Sequence, residues 1–153
     1  MHLADIVDSR SVIPNLRAPG KKQLLHELAH AAAEITGLEQ RSIFETLLQR
    51  EKLGSTGLGQ GIAIPHGKIK TLSRVHGVFA RLATPVDFDS VDGQPVDLVF
   101  LLLAPEHAGA DHLKALARVA RLLRDADVAR KLRQSRDAEA LYAVLAMPSA
   151  SAA

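Results

Sequence analysis

Val96-Asp-Leu-Val-Phe-Leu-Leu-Leu-Ala104 carries one polar residue in nine. A strand with one wet face alternates apolar and polar side chains, whereas a strand covered on both faces reads as a nearly continuous apolar run. The run is also far short of the roughly 20 apolar residues that cross a bilayer. It therefore predicts a central strand with helices packed on both sides of it. Outward from it, Val75 to Leu82 reads as a second strand. After it, about Asp111 to Arg124 reads as a helix whose inward stripe is Leu113, Leu116, Ala120 and Leu123.

Two more helices precede the strands. Lys21 to Thr36 places Leu24, Leu28, Ala32 and Ile35 on one face, with Leu25 beside them, and Gly37 stands at the capping position. Glu39 to Lys52 presents Ile43, Phe44, Leu47 and Leu48, and Gly54 closes it. A last helix, about Asp137 to Ala146, carries Leu141, Tyr142 and Leu145. The first twenty residues, broken by Pro14 and Pro19, read as irregular. Strands interleaved with helices predict an α/β (α+β) fold, a mixed β-sheet flanked by helices on both sides. Residues 1–147 are expected to form one domain, and 148–153 a disordered tail.

Composition narrows the function classes. The chain is 47% hydrophobic, enough for a buried core, but only 3% aromatic, so aliphatic side chains must fill that core. The scarcity of aromatics and a net charge of +2 without a basic block argue against nucleic-acid binding. Cysteine is absent, which excludes disulfides and thiolate chemistry. Asp5, Asp8 and Arg10 follow the start at once and leave no apolar leader core. The expectation is a soluble, cytoplasmic protein with no membrane span.

Between the second helix and the strands the character changes. Gly54-Ser-Thr-Gly-Leu-Gly-Gln-Gly61 holds four glycines in eight residues and runs into Ile62-Ala-Ile-Pro-His-Gly67. A glycine loop thus enters a short apolar strand that stops at Pro65-His66. Five residues separate Gly61 from Gly67 and Ile69 follows Lys68, so the spacing is not that of a P-loop. Gly57-Leu-Gly59-Gln-Gly61 is not a dinucleotide fingerprint either. What remains is His66, stiffened by Pro65, with room left by Gly67 and anion-binding N–H groups available in the loop. His112, in the first turn of its helix, lies where the helix dipole favours an anion. Arg50, at the end of the second helix, could clamp an oxyanion through its planar fork.

His26-Glu27-Leu-Ala-His30 matches the H-E-x-x-H pattern of zinc hydrolases literally. The wheel puts both histidines opposite the apolar face, and no third ligand follows nearby. They read as two solvent-facing histidines, with a zinc hydrolase through His26, Glu27 and His30 as the alternative.

Taken together, three segments resemble the enzyme IIA family of the bacterial phosphoenolpyruvate-dependent phosphotransferase system, of the mannitol/fructose type. They are Arg50 to Lys68, Val96 to Pro105, and His112-Leu-Lys-Ala-Leu-Ala117. The N-terminal half is most similar to the family's nitrogen-regulatory branch. The resemblance implies that His66 is the phosphorylated histidine, that His112 is the second active-site histidine, and that Arg50 supports the phosphoryl group. Backbone groups of Gly59, Gly61 and Gly67 would assist in holding the phosphate. It implies phosphoryl transfer from a small HPr-like phosphocarrier of the nitrogen branch, with no metal or cofactor, and binding of regulated target proteins set by phosphorylation state. A sugar-specific IIA passing phosphate to a IIB permease domain would share every one of these residues.

Overall fold

The computed structural model describes residues 2–147, and the expected tail at 148–153 lies outside the described residues. Two single 3-10 turns, Leu3–Asp5 and Ser9–Ser11, lead into β1 (Val12–Leu16), α1 (Lys21–Thr36) and α2 (Gln40–Lys52). Next come β2 (Gly57–Gly59), β3 (Ile62–Ala63), β4 (His66–Ile69), β5 (His76–Val86) and β6 (Val96–Pro105). The chain closes with α3 (Gly109–Arg124), α4 (Ala126–Gln134) and α5 (Ala138–Ala146).

The six strands form one mixed sheet in the order β1-β5-β6-β3-β2, with β4 also paired to β6. β6 is the central strand that its apolar run demands. Every residue of it except Asp97 is buried, and its two faces feed two cores. Leu98, Phe100, Leu102 and Ala104 meet Val119, Leu123, Leu132, Leu141 and Leu145 of α3, α4 and α5. Val99, Leu101 and Leu103 meet Leu24, Leu25, Leu28, Ile43 and Leu47 of α1 and α2. Each fully buried leucine contributes about 1.5–3 kcal/mol of transfer free energy, so this sandwich, with helices on both faces as expected, dominates stability.

The structure corrects four local expectations. The first twenty residues hold a strand: β1 pairs in parallel with β5 at the margin of the sheet. Pro14 fits there because an edge strand can lack one N–H donor. An additional helix, α4, follows α3; the Asp125 carboxylate caps it by accepting the N–H groups of Asp127 and Val128. Its large charged face hid it, since Ala129 and Leu132 alone are buried. α3 is turned from the expected stripe, burying His112, Ala115, Val119 and Leu123, while Leu113 is 67% exposed. The small Ala115 lets the helix sit close to the sheet.

Finally, the strand does not stop at Pro65-His66. β3 pairs Ile62 with Leu98, and β4 pairs His66 with Leu102, so both keep one register along β6. His66 opens β4 instead of ending β3. The glycines upstream make a hairpin: Gly59, Gln60 and Gly61 all have positive φ, at 92°, 58° and 81°. β2 then returns antiparallel to β3. That hairpin sits away from His66; the four residue steps from Ile62 to His66 span about 13 Å of strand.

Gly67 is required by packing. A Cβ there would stand 2.6 Å from Thr46 Cγ2 of α2. The space beside Gly67 belongs to α2, not to a partner or phosphate on that face. Gly67→Ala should therefore push α2 away from β4 and cost about 1–3 kcal/mol, read as a lower urea midpoint. Adding Thr46→Ala should recover most of the loss; equal destabilisation with and without Thr46→Ala would contradict this packing.

Candidate active site at the open edge of the sheet

Strand alternation sets the site. Since Gly67 faces Thr46 and Leu47 of α2, His66 and Lys68 point to the opposite side, toward α3. The hairpin strand β2 covers β3 only, so β4 has a single strand neighbour, β6. At this uncovered edge the two helical layers meet. α2 delivers Arg50 from one side and α3 delivers His112 from the other.

The bonds at His66 fix its protonation. Nδ1 lies 2.9 Å from the Ile64 carbonyl oxygen. A carbonyl only accepts, so Nδ1 carries the hydrogen. Arg50 donates from Nε to His66 Nε2 at 3.3 Å. A guanidinium only donates, so Nε2 keeps its lone pair. The imidazole is thus neutral, in one tautomer, with its basic nitrogen facing the groove. Arg50 is held in turn by donating from Nη1 to the Gly54 carbonyl at 3.0 Å.

His112 faces His66 across the groove, with ring centroids 5.5 Å apart and planes at 55°. The residue is 5% exposed, and among the described residues its Nδ1 has no hydrogen-bond partner. Burial lowers the pKa of both histidines below the ordinary 6.5. For His66 the Arg50 charge adds to that, opposed by the Ile64 carbonyl and by Glu51. For His112 the neighbouring His66 and Lys68 add to it. Two neutral imidazoles beside an arginine and a lysine make a site ready for an anion, with the cations already present.

The groove has a volume of about 440 Å³ and is lined by Arg50, Leu53, His66, Gly67, Lys68 and His112, with Thr46 and Gln49. Three of the six expected site residues, His66, His112 and Arg50, converge here, and Gly67 lies in the wall. Gly59 and Gly61 do not reach the groove. A Cβ on Gly61 would stand 2.7 Å from Arg133 and 2.9 Å from Asp97, at the other end of β3. Their glycine requirement comes from the hairpin turn.

Lys68 and Leu53 were not singled out from sequence. Lys68 could have been found, because position i+2 on a strand shares the face of His66. Leu53, 85% exposed, is an apolar residue three positions after Arg50, where a helix end would otherwise be polar.

The H-E-x-x-H histidines lie elsewhere. His26 is not simply solvent-facing, since its ring stacks on Phe44 at 3.6 Å between centroids and 9° between planes. His30 contacts Glu34 at 3.2 Å and Gln40 at 3.3 Å. Among the described residues no three or more His, Asp or Glu side chains converge as a metal site would need. No helix among them is long and apolar enough to cross a membrane.

Comparison with known proteins agrees with this architecture. The sequence model of the family "Phosphoenolpyruvate-dependent sugar phosphotransferase system, EIIA 2" matches residues 5–147. A nitrogen regulatory protein of Bradyrhizobium diazoefficiens is 63% identical over 153 residues, covering all of both chains. That of Escherichia coli K12 is 41% identical over 147 residues, 95% of this chain and 90% of the relative. Among solved structures, nitrogen regulatory protein IIA-Ntr from Neisseria meningitidis superposes with a TM-score of 0.89 at 37% identity, over 94% of this chain and 98% of that one. IIA mannitol from Escherichia coli, at 21% identity and a TM-score of 0.78 over 92% and 99% of the two chains, shares the fold. The family match and the full-length similarity place one conclusion beyond the fold itself: the chain belongs to the EIIA 2 family of the phosphoenolpyruvate-dependent sugar phosphotransferase system, on its nitrogen-regulatory branch.

Proposed function

We propose that this chain is a histidine phosphocarrier that accepts a phosphoryl group on His66 Nε2 and regulates target proteins through its phosphorylation state. The observation that carries the reading is the single tautomer of His66, with Nδ1–H bound to Ile64 and the Nε2 lone pair turned into the groove. The donor is an HPr-like phosphocarrier of the nitrogen branch, and residues up to 147 act as one IIA domain in a cytoplasmic protein. Similarity to nitrogen regulatory proteins along the full length supports the regulatory output.

The step needs no metal or cofactor, since the donor's phosphohistidine is already activated. His66 Nε2 attacks phosphorus in line, the donor's N–P bond breaks, and the donor's imidazole leaves with the bonding pair. Nδ1 keeps its proton, and the Ile64 carbonyl stabilises the positive charge that builds on the ring. Arg50 moves its donors from Nε2 to the equatorial oxygens as the bond forms, joined by His112 and Lys68. Positioning and charge stabilisation of this kind do most of the work in phosphoryl transfer. The product carries nearly two negative charges where a neutral ring stood, which changes what can dock there.

His66→Ala should abolish labelling by the phosphorylated donor, and His112→Ala should leave part of it. Stoichiometric labelling of the His66 variant would refute the assignment.

The pH dependence has a definite sign. The reactive form is neutral His66, whose pKa lies below 6.5 in the fold. The transfer rate should be flat above neutrality and fall as pH drops through that lowered value, approaching tenfold per pH unit in the acid limb. Initial rates of single-turnover labelling measure this. A rate that rises on acidification toward pH 6.5 would contradict a neutral nucleophile.

A further inference from the structure

Next to Arg50 stands a carboxylate that the transfer step above does not use. Glu51 is 7% exposed, in the last turn of α2. Its Oε1 accepts the Thr56 N–H at 3.0 Å, and its Oε2 accepts the Thr56 hydroxyl. Lys21, the first residue of α1, lies 3.0 Å from Oε1. Such a cluster could be a mere buried ion pair. The bonds leading out of it point to more.

The Thr56 carbonyl accepts the Ile64 N–H at 3.1 Å. The Ile64 carbonyl then accepts Nδ1–H of His66 at 2.9 Å. Glu51 is therefore linked to the His66 ring through the backbone of two residues, Thr56 and Ile64, each fixed by a bond at its N–H and another at its carbonyl. A second branch leaves the same residue. The Glu51 carbonyl accepts the Gly54 N–H at 3.1 Å, and the Gly54 carbonyl holds Arg50 Nη1 at 3.0 Å. Both acceptors that orient the reactive pair hang from the segment that Glu51 fastens.

We propose that Glu51 is a positioning residue for phosphoryl transfer, holding the Ile64 and Gly54 carbonyls against His66 and Arg50 and placing a fixed negative charge near the ring as positive charge builds on it. This rests on the phosphocarrier reading of His66. Thr56 and Ile64 each put an sp3 Cα between N–H and carbonyl, so the link holds the backbone in place, while the Glu51 charge acts on the ring through space. An imidazole works best when the partner of its other nitrogen is fixed. The charged groups around His66 are Arg50 and Glu51 from α2 and Lys68 from its own strand, with titratable His112 from α3. Among these, burial and Arg50 push the His66 pKa down, while Glu51 pulls it up.

The test is Glu51→Gln, which keeps an acceptor for Thr56 and removes the charge. In single-turnover transfer from a phosphorylated HPr-like donor, its maximal rate should fall about tenfold with half-saturation by the donor unchanged. The His66 ring-proton titration should move to lower pH. Arg133→Gln, which breaks the 2.9 Å ion pair with Asp97 far from the groove, should leave both readouts at wild-type values despite lost stability. A folded Glu51→Gln with wild-type rate and titration overturns the proposal. Should that variant not fold, Thr56→Val takes its place, with about a threefold rate loss of the same kind expected and wild-type behaviour overturning it. Failure of the wild-type chain to be labelled would instead refute the phosphocarrier reading, and the titration would still test Glu51.

Discussion

β6 accepts one continuous register on one side, and that side changes character at Ile64–Pro65. Ile62 and Ala63 pair with Leu98 and Val99, and His66 to Ile69 pair with Leu102 to Pro105. Proline has no N–H to give, so the ladder thins where β3 passes into β4. The β2 hairpin strand covers the first half and stops there. Everything at the site depends on this half-covered strand. His66 is the first residue beyond the cover, at an edge where the α1/α2 layer and the α3 layer can both reach it. The same geometry turns the Ile64 carbonyl back onto the ring of His66.

Electrostatics then decide what the edge can do. Two cationic side chains, Arg50 and Lys68, face two imidazoles that burial holds neutral. In the proposed transfer an arriving phosphoryl group meets positive charge without first displacing an internal anion, because Glu51, the nearby carboxylate, is already paired with Lys21. Loss of water around the rings lowers the pKa of both histidines more than any neighbouring charge does. The His66 imidazole, the nucleophile of the proposed transfer, is therefore available near neutral pH without a general base. Arg50 is bonded to Nε2 and, in the proposed transfer, is placed to follow the charge once it arrives.

The sandwich was legible in the sequence because its signals are strong and local. The Val96–Ala104 run can only be an inner strand, and α1 keeps a clean helical stripe ended by Gly37 with φ 75°. β1 and α4 were not legible, one masked by Pro14 and the other by its charges. The rotation of α3 is a tertiary effect, since Ala115 packs against the sheet where Leu113 was expected. At the site, Arg50, His66 and His112 could be named because side-chain chemistry and the family pattern both single them out. The glycines misled, as a turn and a phosphate cradle ask for the same residue. Lys68 was hidden because the strand was expected to stop at Pro65-His66, which removed the i+2 relation to His66. The Glu51 network needed the return of the chain, which no local pattern contains.

In the proposed mechanism, the tautomer held by Ile64 selects the nitrogen that carries the phosphoryl group. Nitrogen-15 and phosphorus-31 NMR of the chain phosphorylated by its donor tests that selection directly. The expected result is one phosphohistidine, at His66, bonded through Nε2 with Nδ1 still protonated. A phosphoryl group on Nδ1, or on a residue other than His66, would contradict it.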